Sequence, residues 1–209
     1  MELQPRAFDR AHDHWWWRPG WGPGTRFLTF HLTFEDAPEL HAAAEATAER
    51  IGGEAAVDLV PVEWLHLTMT GVGHTADLDE EAVASLRDAV FSRSSQVAAE
   101  PLRFPTAFAY PEGFGLAAEL APWLADLERI QADEVRTLTG TTDDDGDGFR
   151  PHVSLAYFSG DAALERVDDV LRALPDEDVV VAHPRLSLIE IGRDDRRYTW
   201  RVVDQLVLA

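Results

Sequence analysis

Two short segments of the sequence each place a histidine two residues before a hydroxyl side chain. The first is WLHLTMTG, with His66 and Thr68, and the second is RPHVSLAYF, with His152 and Ser154. Apolar residues alternate with these polar ones, and that alternation predicts a half-buried strand in each segment. Because residues two apart in a strand point to the same face, each imidazole lies beside its own hydroxyl.

Two such strands facing one small cavity carry the groups needed for chemistry on a phosphate ester. One imidazole accepts a proton from the attacking water or hydroxyl and the other donates one to the leaving oxygen, each transfer being typically worth about 10²–10⁴ in rate. Histidine suits both tasks because its pKa of about 6.5 allows one ring to be neutral and the other charged near neutral pH. The hydroxyls hold the non-bridging oxygens while negative charge builds. We therefore predict no cofactor, and the sequence leaves open which histidine is the acid.

At these residues the sequence resembles the 2H (two-histidine) phosphoesterase superfamily, which contains RNA 2',3'-cyclic phosphodiesterases and the so-called 2'-5' RNA ligases. That family carries two His-x-Thr/Ser motifs with apolar neighbours. A Pro and a nearby Arg often precede its second motif, and here they are Pro151 and Arg150. The separation of 86 positions between His66 and His152 is also similar to that family. The resemblance extends from about Thr25 to the end of the chain.

The resemblance implies an α+β fold, in which two antiparallel sheets with outer helices surround a pseudo-two-fold central cleft. Residues 25–209 would form this single bilobal domain, and residues 1–24 would be a Trp-rich N-terminal arm outside the general pattern of the family. The two motif histidines would be the acid–base pair, and the two motif hydroxyls would bind the phosphate. Arg150 is a further candidate phosphate ligand, and its alternative partner is the acidic loop that precedes it.

The periodicity of apolar residues predicts four helices and a set of strands around the two motifs. The predicted helices cover residues 36–53, 78–94, 122–138 and 161–174. The predicted strands cover residues 26–35, 57–60, 64–72, 102–110, 114–119, 151–158, 179–191 and 198–208. These elements alternate loosely, without the regular βαβ order of a doubly wound sheet, and each half carries one motif strand near a helix.

Three further side chains are candidates for lining the cleft. His31 belongs to a third His-x-Thr triplet in the first strand, where the resemblance implies no catalytic histidine, so that cleft lining and a plain structural role stay open. Tyr157 alternates to the face opposite His152, which predicts packing in the core, although aromatic residues often lie near the cleft in this family. Trp17 belongs to the Trp-rich arm, which either packs on the domain or stacks on a nucleobase.

Three charged segments carry no predicted chemistry. Residues 143–148 (DDDGDG) match the start of an EF-hand calcium loop, but position 12 of that loop would be serine and a strand follows in place of a helix. We expect a solvated loop there. Residues 12–14 (HDH) lack further ligands in register, so we predict no metal site. Residues 193–197 (RDDRR) are predicted to form a solvated turn between the last two strands.

The composition limits the classes of function. The 209 residues include 18 Lys+Arg and 38 Asp+Glu, and the formal net charge of −20 disfavours binding of extended nucleic acid. The chain has no cysteine, which excludes disulfides, thiolate catalysis and Cys-ligated metals. No apolar run reaches the roughly 18–20 residues that span a bilayer, and the N-terminus lacks the pattern of a signal peptide. We therefore expect a monomeric cytoplasmic protein without membrane contacts.

Together these observations predict a metal-independent phosphodiesterase that hydrolyses a 2',3'-cyclic phosphate, or a 2'-5' linkage, on a small nucleotide or short RNA end. Alternatives on the same fold are 2'-5' RNA ligation and hydrolysis of a cyclic phosphate on an ADP-ribose-like molecule. A module that binds a phosphate or an RNA end without turnover is a further alternative, as is a structural role for both triplets. Because the acidic surface would repel long RNA, a small substrate is preferred.

Overall fold

The computed structural model of the protein describes residues 1–51, 53–140, 148–174 and 177–208. Within these ranges lie eleven strands and four α-helices. The strands are β1 (Glu2–Leu3), β2 (Phe27–Thr33), β3 (Val57–Leu59), β4 (His66–His74), β5 (Leu102–Phe104), β6 (Thr106–Tyr110), β7 (Gly113–Ala117), β8 (His152–Phe158), β9 (Val179–Val181), β10 (Arg185–Gly192) and β11 (Thr199–Val207). The helices are α1 (Pro38–Ile51), α2 (Glu80–Ser94), α3 (Pro122–Thr139) and α4 (Leu164–Arg172). All four predicted helices and both motif strands form, with bounds within a few residues of those expected.

Nine of the described strands form one sheet whose order is symmetric about its centre. The order is β1-β6-β7-β8-β4-β2-β10-β11, and β3 pairs with the C-terminal part of β8. Among these described strands, only the β1–β6 pair is parallel. The motif strands β8 and β4 are therefore the innermost strands of two four-stranded halves. This arrangement confirms the predicted α+β fold, with two halves around a central pseudo-two-fold axis that are antiparallel apart from the β1–β6 pair.

The two halves of the sheet meet at one residue pair in the described structure, Leu67 of β4 with Val153 of β8. Each is the residue between the histidine and the hydroxyl of its motif, and both are fully buried. Because side chains alternate along a strand, these buried middle residues turn the histidines and hydroxyls to the opposite face. One contact thus fixes the orientation of both motifs.

Proline splits two of the predicted strands. Pro105 separates β5 from β6, and Pro184 closes the break between β9 and β10. Proline has no N–H to donate to a ladder, so neither predicted strand can continue unbroken through the sheet. The two freed segments, β5 and β9, pair with each other in a separate two-stranded sheet. The sequence prediction of continuous strands over residues 102–110 and 179–191 is therefore wrong.

Helix α3 forms a wall beside the motif strand β4. The helix begins with Pro122, whose missing N–H would have no partner inside the helix. Gly140, in a left-handed conformation, follows its last residue and caps its C-terminus. Trp123 and Leu127 are on its buried face, and the helix packs against α2 and β4. Among the side chains that are fully buried in the described core, phenylalanines such as Phe30 are the largest.

The N-terminal arm lies along the β6–β7–β8 half of the sheet. Its first residues form the edge strand β1, which pairs with β6. Further along, the N–H groups of His12 and His14 donate to the carbonyl oxygens of Pro111 and Phe158, at 2.7 and 2.8 Å. None of the helices in the described ranges has the length and apolarity required to cross a membrane.

The close approach of β7 to β8 predicts the effect of a substitution at Gly115. A Cβ atom at Gly115 would lie 2.0 Å from the carbonyl oxygen of Val153, a distance that no side chain tolerates. We expect Gly115→Ala to lower the free energy of unfolding by about 1–3 kcal/mol, because the strands must separate. The measurement is the midpoint of urea unfolding at unchanged m-value.

The matched control for that experiment is Gly22→Ala, since a Cβ atom at Gly22 meets nothing within 4 Å. That variant should stay within about 0.5 kcal/mol of the wild type. Equal midpoints for the Gly115 variant and the control would contradict this close packing of the two strands.

Candidate active site

A cleft of about 790 Å³ opens over the junction of the two halves. Its walls come from both motif strands, from β2, from α3 and from the N-terminal arm. The residues singled out from sequence that line it are His31, His66, Thr68, Arg150, His152, Ser154 and Tyr157. Trp17 differs from this expectation: its side chain is 46% exposed, and it is not among the described residues that line the cleft.

The antiparallel pairing at the centre of the sheet arranges the two motifs as a quartet. Leu67 and Val153 face each other, so the strand direction sets the histidine of each motif beside the hydroxyl of the other. All four side chains line the cleft. The result is a compact group of two imidazoles and two hydroxyls related by the pseudo-two-fold axis.

The two motif histidines are held by the same backbone contact. Nδ1 of His66 lies 2.8 Å from the carbonyl oxygen of Trp64, and Nδ1 of His152 lies 2.9 Å from that of Arg150. A carbonyl oxygen only accepts, so Nδ1 carries the hydrogen in both rings. In the neutral rings, Nε2 therefore holds the lone pair that can accept a proton. The repeated contact, always to the residue two positions earlier, gives both rings the same tautomer.

Burial favours the neutral form of both imidazoles. Burial, together with the nearby His152, lowers the pKa of His66 to about 4, against the opposing effect of the backbone hydrogen bond to Trp64. Burial also lowers the pKa of His152, again against its backbone hydrogen bond. Both rings are consequently neutral at pH 7, and an anion bound beside them would favour their protonation.

The ring of His31 packs flat against the ring of His66. The two rings are stacked, with centroids 4.7 Å apart and an interplanar angle of 5°. Trp200 makes an edge contact with His66, with 5.3 Å between the ring centroids. Nδ1 of His31 is buried and has no hydrogen-bond partner among the described residues. Burial, reinforced by His66, lowers the pKa of His31 well below its usual value. This residue therefore packs against the first motif as a neutral ring.

Tyr110 supports the second motif and was not singled out from the sequence. Its hydroxyl is 2.8 Å from Oγ of Ser154, and its ring contacts His152 at a centroid distance of 5.8 Å. Gly113 gives this hydroxyl its space, because a Cβ atom there would lie 2.8 Å from it. Tyr110 comes from β6, two strands away from β8, and only the sheet order reveals the contact.

A β-bulge explains the position of Tyr157. The register of β7 against β8 shifts after Ser154, which leaves Leu155 without a partner on β7. The additional residue reverses the alternation that follows it. Tyr157 therefore lines the cleft and stacks on His14 at 4.0 Å, whereas strict alternation predicted core packing.

Glu112, in the turn between β6 and β7, anchors the arm. Its carboxylate accepts hydrogen bonds from His14 at 3.0 Å, from Trp16 at 3.0 Å and from Arg18 at 2.5 Å. Burial tends to raise the pKa of Glu112, but the bonds from His14 and Trp16 and the charge of Arg18 lower it to about 2. On its other side, His14 bonds the hydroxyl of Tyr198 at 3.0 Å.

Arg193 corrects the expectation of a solvated turn over residues 193–197. Its side chain is only 4% exposed, and it donates to the carbonyl oxygen of His14 at 2.7 Å. Its guanidinium also lies over the rings of Trp15 and Tyr198, at 5.5 and 5.6 Å. The local charge pattern carries no sign of this burial, because the aromatic partners include Trp15 of the distant arm.

The charge of the cleft differs from that of the whole molecule. In the part of the chain that the structure describes, four arginines and three carboxylates line it, whereas the full chain has a net charge of −20. The arginines are Arg18, Arg129, Arg136 and Arg150. The cleft is therefore nearly neutral, although the molecule as a whole is strongly acidic.

The described residues contain no group of three or more His, Asp or Glu side chains that could hold a metal ion. His14, from the HDH segment, is already bonded to Glu112 and Tyr198. Residues 143–147 of the EF-hand-like segment lie outside the described residues, so that expectation stays a prediction.

Comparison with known proteins identifies the family. A family model described as the 2'-5' RNA ligase superfamily matches residues 34–195. The crystal structure of TT0787 from Thermus thermophilus has a TM-score of 0.65 at 18% identity, covering 87% of this chain and 97% of that chain. E. coli LigT complexed with 3'-AMP gives 0.63 at 14% identity (88% and 99% covered), and the same protein complexed with phosphate gives 0.55 at 15% identity (88% and 98% covered). No curated protein sequence matches the chain.

The matched residues include both His-x-Thr/Ser motifs and most of the sheet. The solved structures show the same fold across nearly nine-tenths of the chain. The chain therefore belongs to the 2'-5' RNA ligase superfamily, and the resemblance to two-histidine phosphoesterases is confirmed.

Proposed function

We propose that the protein is a metal-independent phosphodiesterase that hydrolyses a 2',3'-cyclic phosphate, or a 2'-5' linkage, on a small nucleotide or short RNA end. The observation that carries this proposal is the matched pair of imidazoles in one cleft. Both rings are tied through Nδ1 to the backbone, which leaves Nε2 of each for proton transfer. One base and one acid on opposite sides of a phosphate is the arrangement that such hydrolysis needs.

In the proposed reaction, one histidine takes the proton of a water molecule through Nε2 while the water oxygen attacks phosphorus. The bond from phosphorus to one ribose oxygen breaks, and the other histidine, protonated at Nε2, donates its proton to that oxygen. The product is a phosphate monoester beside a free hydroxyl. Thr68 and Ser154 donate hydrogen bonds to the non-bridging oxygens, with Tyr110 holding the serine hydroxyl.

The size and charge of the cleft support a small substrate. A volume of about 790 Å³ is within the range of small-molecule sites, which is roughly 300–1,000 Å³. The complexes of E. coli LigT with 3'-AMP and with phosphate support the same class of ligand here. The net charge of −20 opposes a long RNA, so we propose a mononucleotide or a short RNA end that places one phosphate between the histidines.

Removal of either motif histidine should abolish most turnover. With 2',3'-cyclic mononucleotides as substrates and EDTA present, we expect His66→Ala and His152→Ala each to lower kcat by about 10²–10⁴-fold, because each loses one proton transfer. Product formation is followed by chromatography. The matched control is His183→Ala, since His183 is exposed and lies outside the cleft lining of the described structure.

The alternatives have distinct outcomes in that experiment. Tight binding of cyclic nucleotides without turnover by the wild type would overturn the proposal in favour of a binding module. Turnover that EDTA abolishes would contradict metal independence. Turnover of RNA ends with a 5'-hydroxyl into 2'-5' joined product, faster than hydrolysis, would indicate a ligase, and preference for a cyclic phosphate on an ADP-ribose-like molecule would redefine the substrate.

The pH dependence follows from the buried imidazoles. Burial brings the pKa of His66 to about 4 and lowers the pKa of His152 from its ordinary value of 6.5. The base must be neutral and the acid protonated, so activity is lost as pH falls through the lower of the two pKa values and as pH rises through the higher one, whichever ring has which role. We therefore expect a bell-shaped profile of kcat/KM with its maximum between about pH 4 and 6.5. A rate that rises to a plateau at pH 8 or above would contradict this.

A further inference from the structure

The N-terminal arm brings one guanidinium into the cleft. Every second residue from His14 to Arg18 donates to the carboxylate of Glu112, so the backbone of this segment runs past the β6–β7 turn with one set of side chains on Glu112. Of these, His14 and Arg18 line the cleft, whereas Trp16 is half exposed. Arg18 therefore reaches the site from a segment outside the matched residues 34–195.

Both halves of the molecule hold this segment of the arm. The indole N–H of Trp15 donates to Asp58 of β3 at 2.8 Å. From the other half, the buried Arg193 donates to the carbonyl oxygen of His14 at 2.7 Å and lies over the Trp15 ring. Because the backbone on the N-terminal side of Arg18 is fixed at these points, the guanidinium has a defined place in the cleft.

Arg18 lies near the second motif. Arg18 and His14 bond the same carboxylate oxygen of Glu112, and the ring of His14 stacks on Tyr157 at a centroid distance of 4.0 Å. Arg18, Tyr110 and Tyr157 also line the same cleft. The hydroxyl of Tyr110 is in turn 2.8 Å from Oγ of Ser154. The cation, the two phenols and the serine therefore share one end of the quartet.

Arg18 is the most shielded of the arginines that line the described part of the cleft. Its side chain is 32% exposed, whereas Arg150 is exposed and Arg129 and Arg136 are more than half exposed. Burial also lowers the pKa of four histidines in the cleft, which are therefore neutral at pH 7: His14, His31, His66 and His152. Arg18 of the arm is therefore the arginine best shielded from solvent to bind a phosphate between the two motifs.

Arg18 has donors available for this task. Its described hydrogen bonds are with Glu112, with the carbonyl oxygen of His14 at 3.4 Å and with the hydroxyl of Tyr198, and its guanidinium lies 5.3 Å from the centroid of the Trp16 ring. A guanidinium has five N–H groups, so these contacts leave donors for a further acceptor. The planar geometry of those groups matches two oxygens of one phosphate.

We propose that Arg18 is a substrate-contacting residue, whose guanidinium binds the non-bridging oxygens of the phosphate that Ser154 holds. The arm is then part of the phosphate site and supplies a cation from outside the matched family region. The identity of the ligand as a nucleotide phosphate rests on the proposed function, but phosphate binding itself does not require turnover.

Titration calorimetry with inorganic phosphate, at pH 7 and constant ionic strength, tests this role. We expect Arg18→Met to raise the Kd for phosphate by about 10- to 100-fold, because a charge-assisted pair of hydrogen bonds is lost. Arg18→Lys should lie between this variant and the wild type. Arg10→Met is the matched control, since Arg10 is an exposed residue of the arm that pairs with Asp161, and it should leave Kd within about twofold of the wild type.

Near-UV circular dichroism of the arm tryptophans separates contact from mere positioning. The inference holds when Arg18→Met loses phosphate affinity with an unchanged spectrum. It is overturned when affinity is unchanged, when the wild type binds no phosphate, or when affinity falls only together with the spectral change that Glu112→Ala produces by releasing the arm. Turnover that survives in His66→Ala and His152→Ala would overturn the proposed function and leave the result for Arg18 intact.

Discussion

The antiparallel contact between Leu67 and Val153 is the constraint on which the cleft depends. Each residue stands between a histidine and a hydroxyl, and each is fully buried. A slip of one residue at this junction would turn a whole motif to the other face of the sheet. The remaining geometry is local, because each imidazole is oriented by a carbonyl group two residues earlier in the chain. A single long-range contact thus brings together two motifs whose histidines are oriented in the same way.

The cleft and the molecule as a whole differ in their balance of positive and negative charge. The full chain has a net charge of −20, and a charge of this sign opposes the approach of polyanions. Inside, arginines offset the carboxylates, and the histidines are neutral until an anion arrives. In the proposed reaction, the arrival of a phosphate would therefore change the protonation of the groups that act on it. Binding and proton supply would then be linked, because both depend on the burial of the same rings.

The sequence predicts those parts of the site that depend on local pattern. The two motifs were visible because alternation alone sets a histidine and a hydroxyl on one face. For Tyr157, strict alternation predicts the core face although the residue lines the cleft, because the unpaired Leu155 arises only when β8 pairs with β7. Glu112 and Arg18 carry no local signal, since their contact joins residues 94 positions apart. Long-range pairing, which periodicity does not record, supplies the remainder of the cleft.

The edge strand β1 gives the arm a second task, at the far side of the same half of the sheet. Without it, β6 would present unpaired N–H and C=O groups to solvent, a template on which another chain can pair. The same arm, a few residues later, bonds Glu112 and reaches the cleft. One segment therefore both pairs with the edge of the sheet and carries Arg18, the residue proposed to bind the phosphate. We expect a molecule whose arm is undocked to be less soluble, because the edge of β6 is exposed, and to bind its ligand less tightly, because Arg18 has left the cleft.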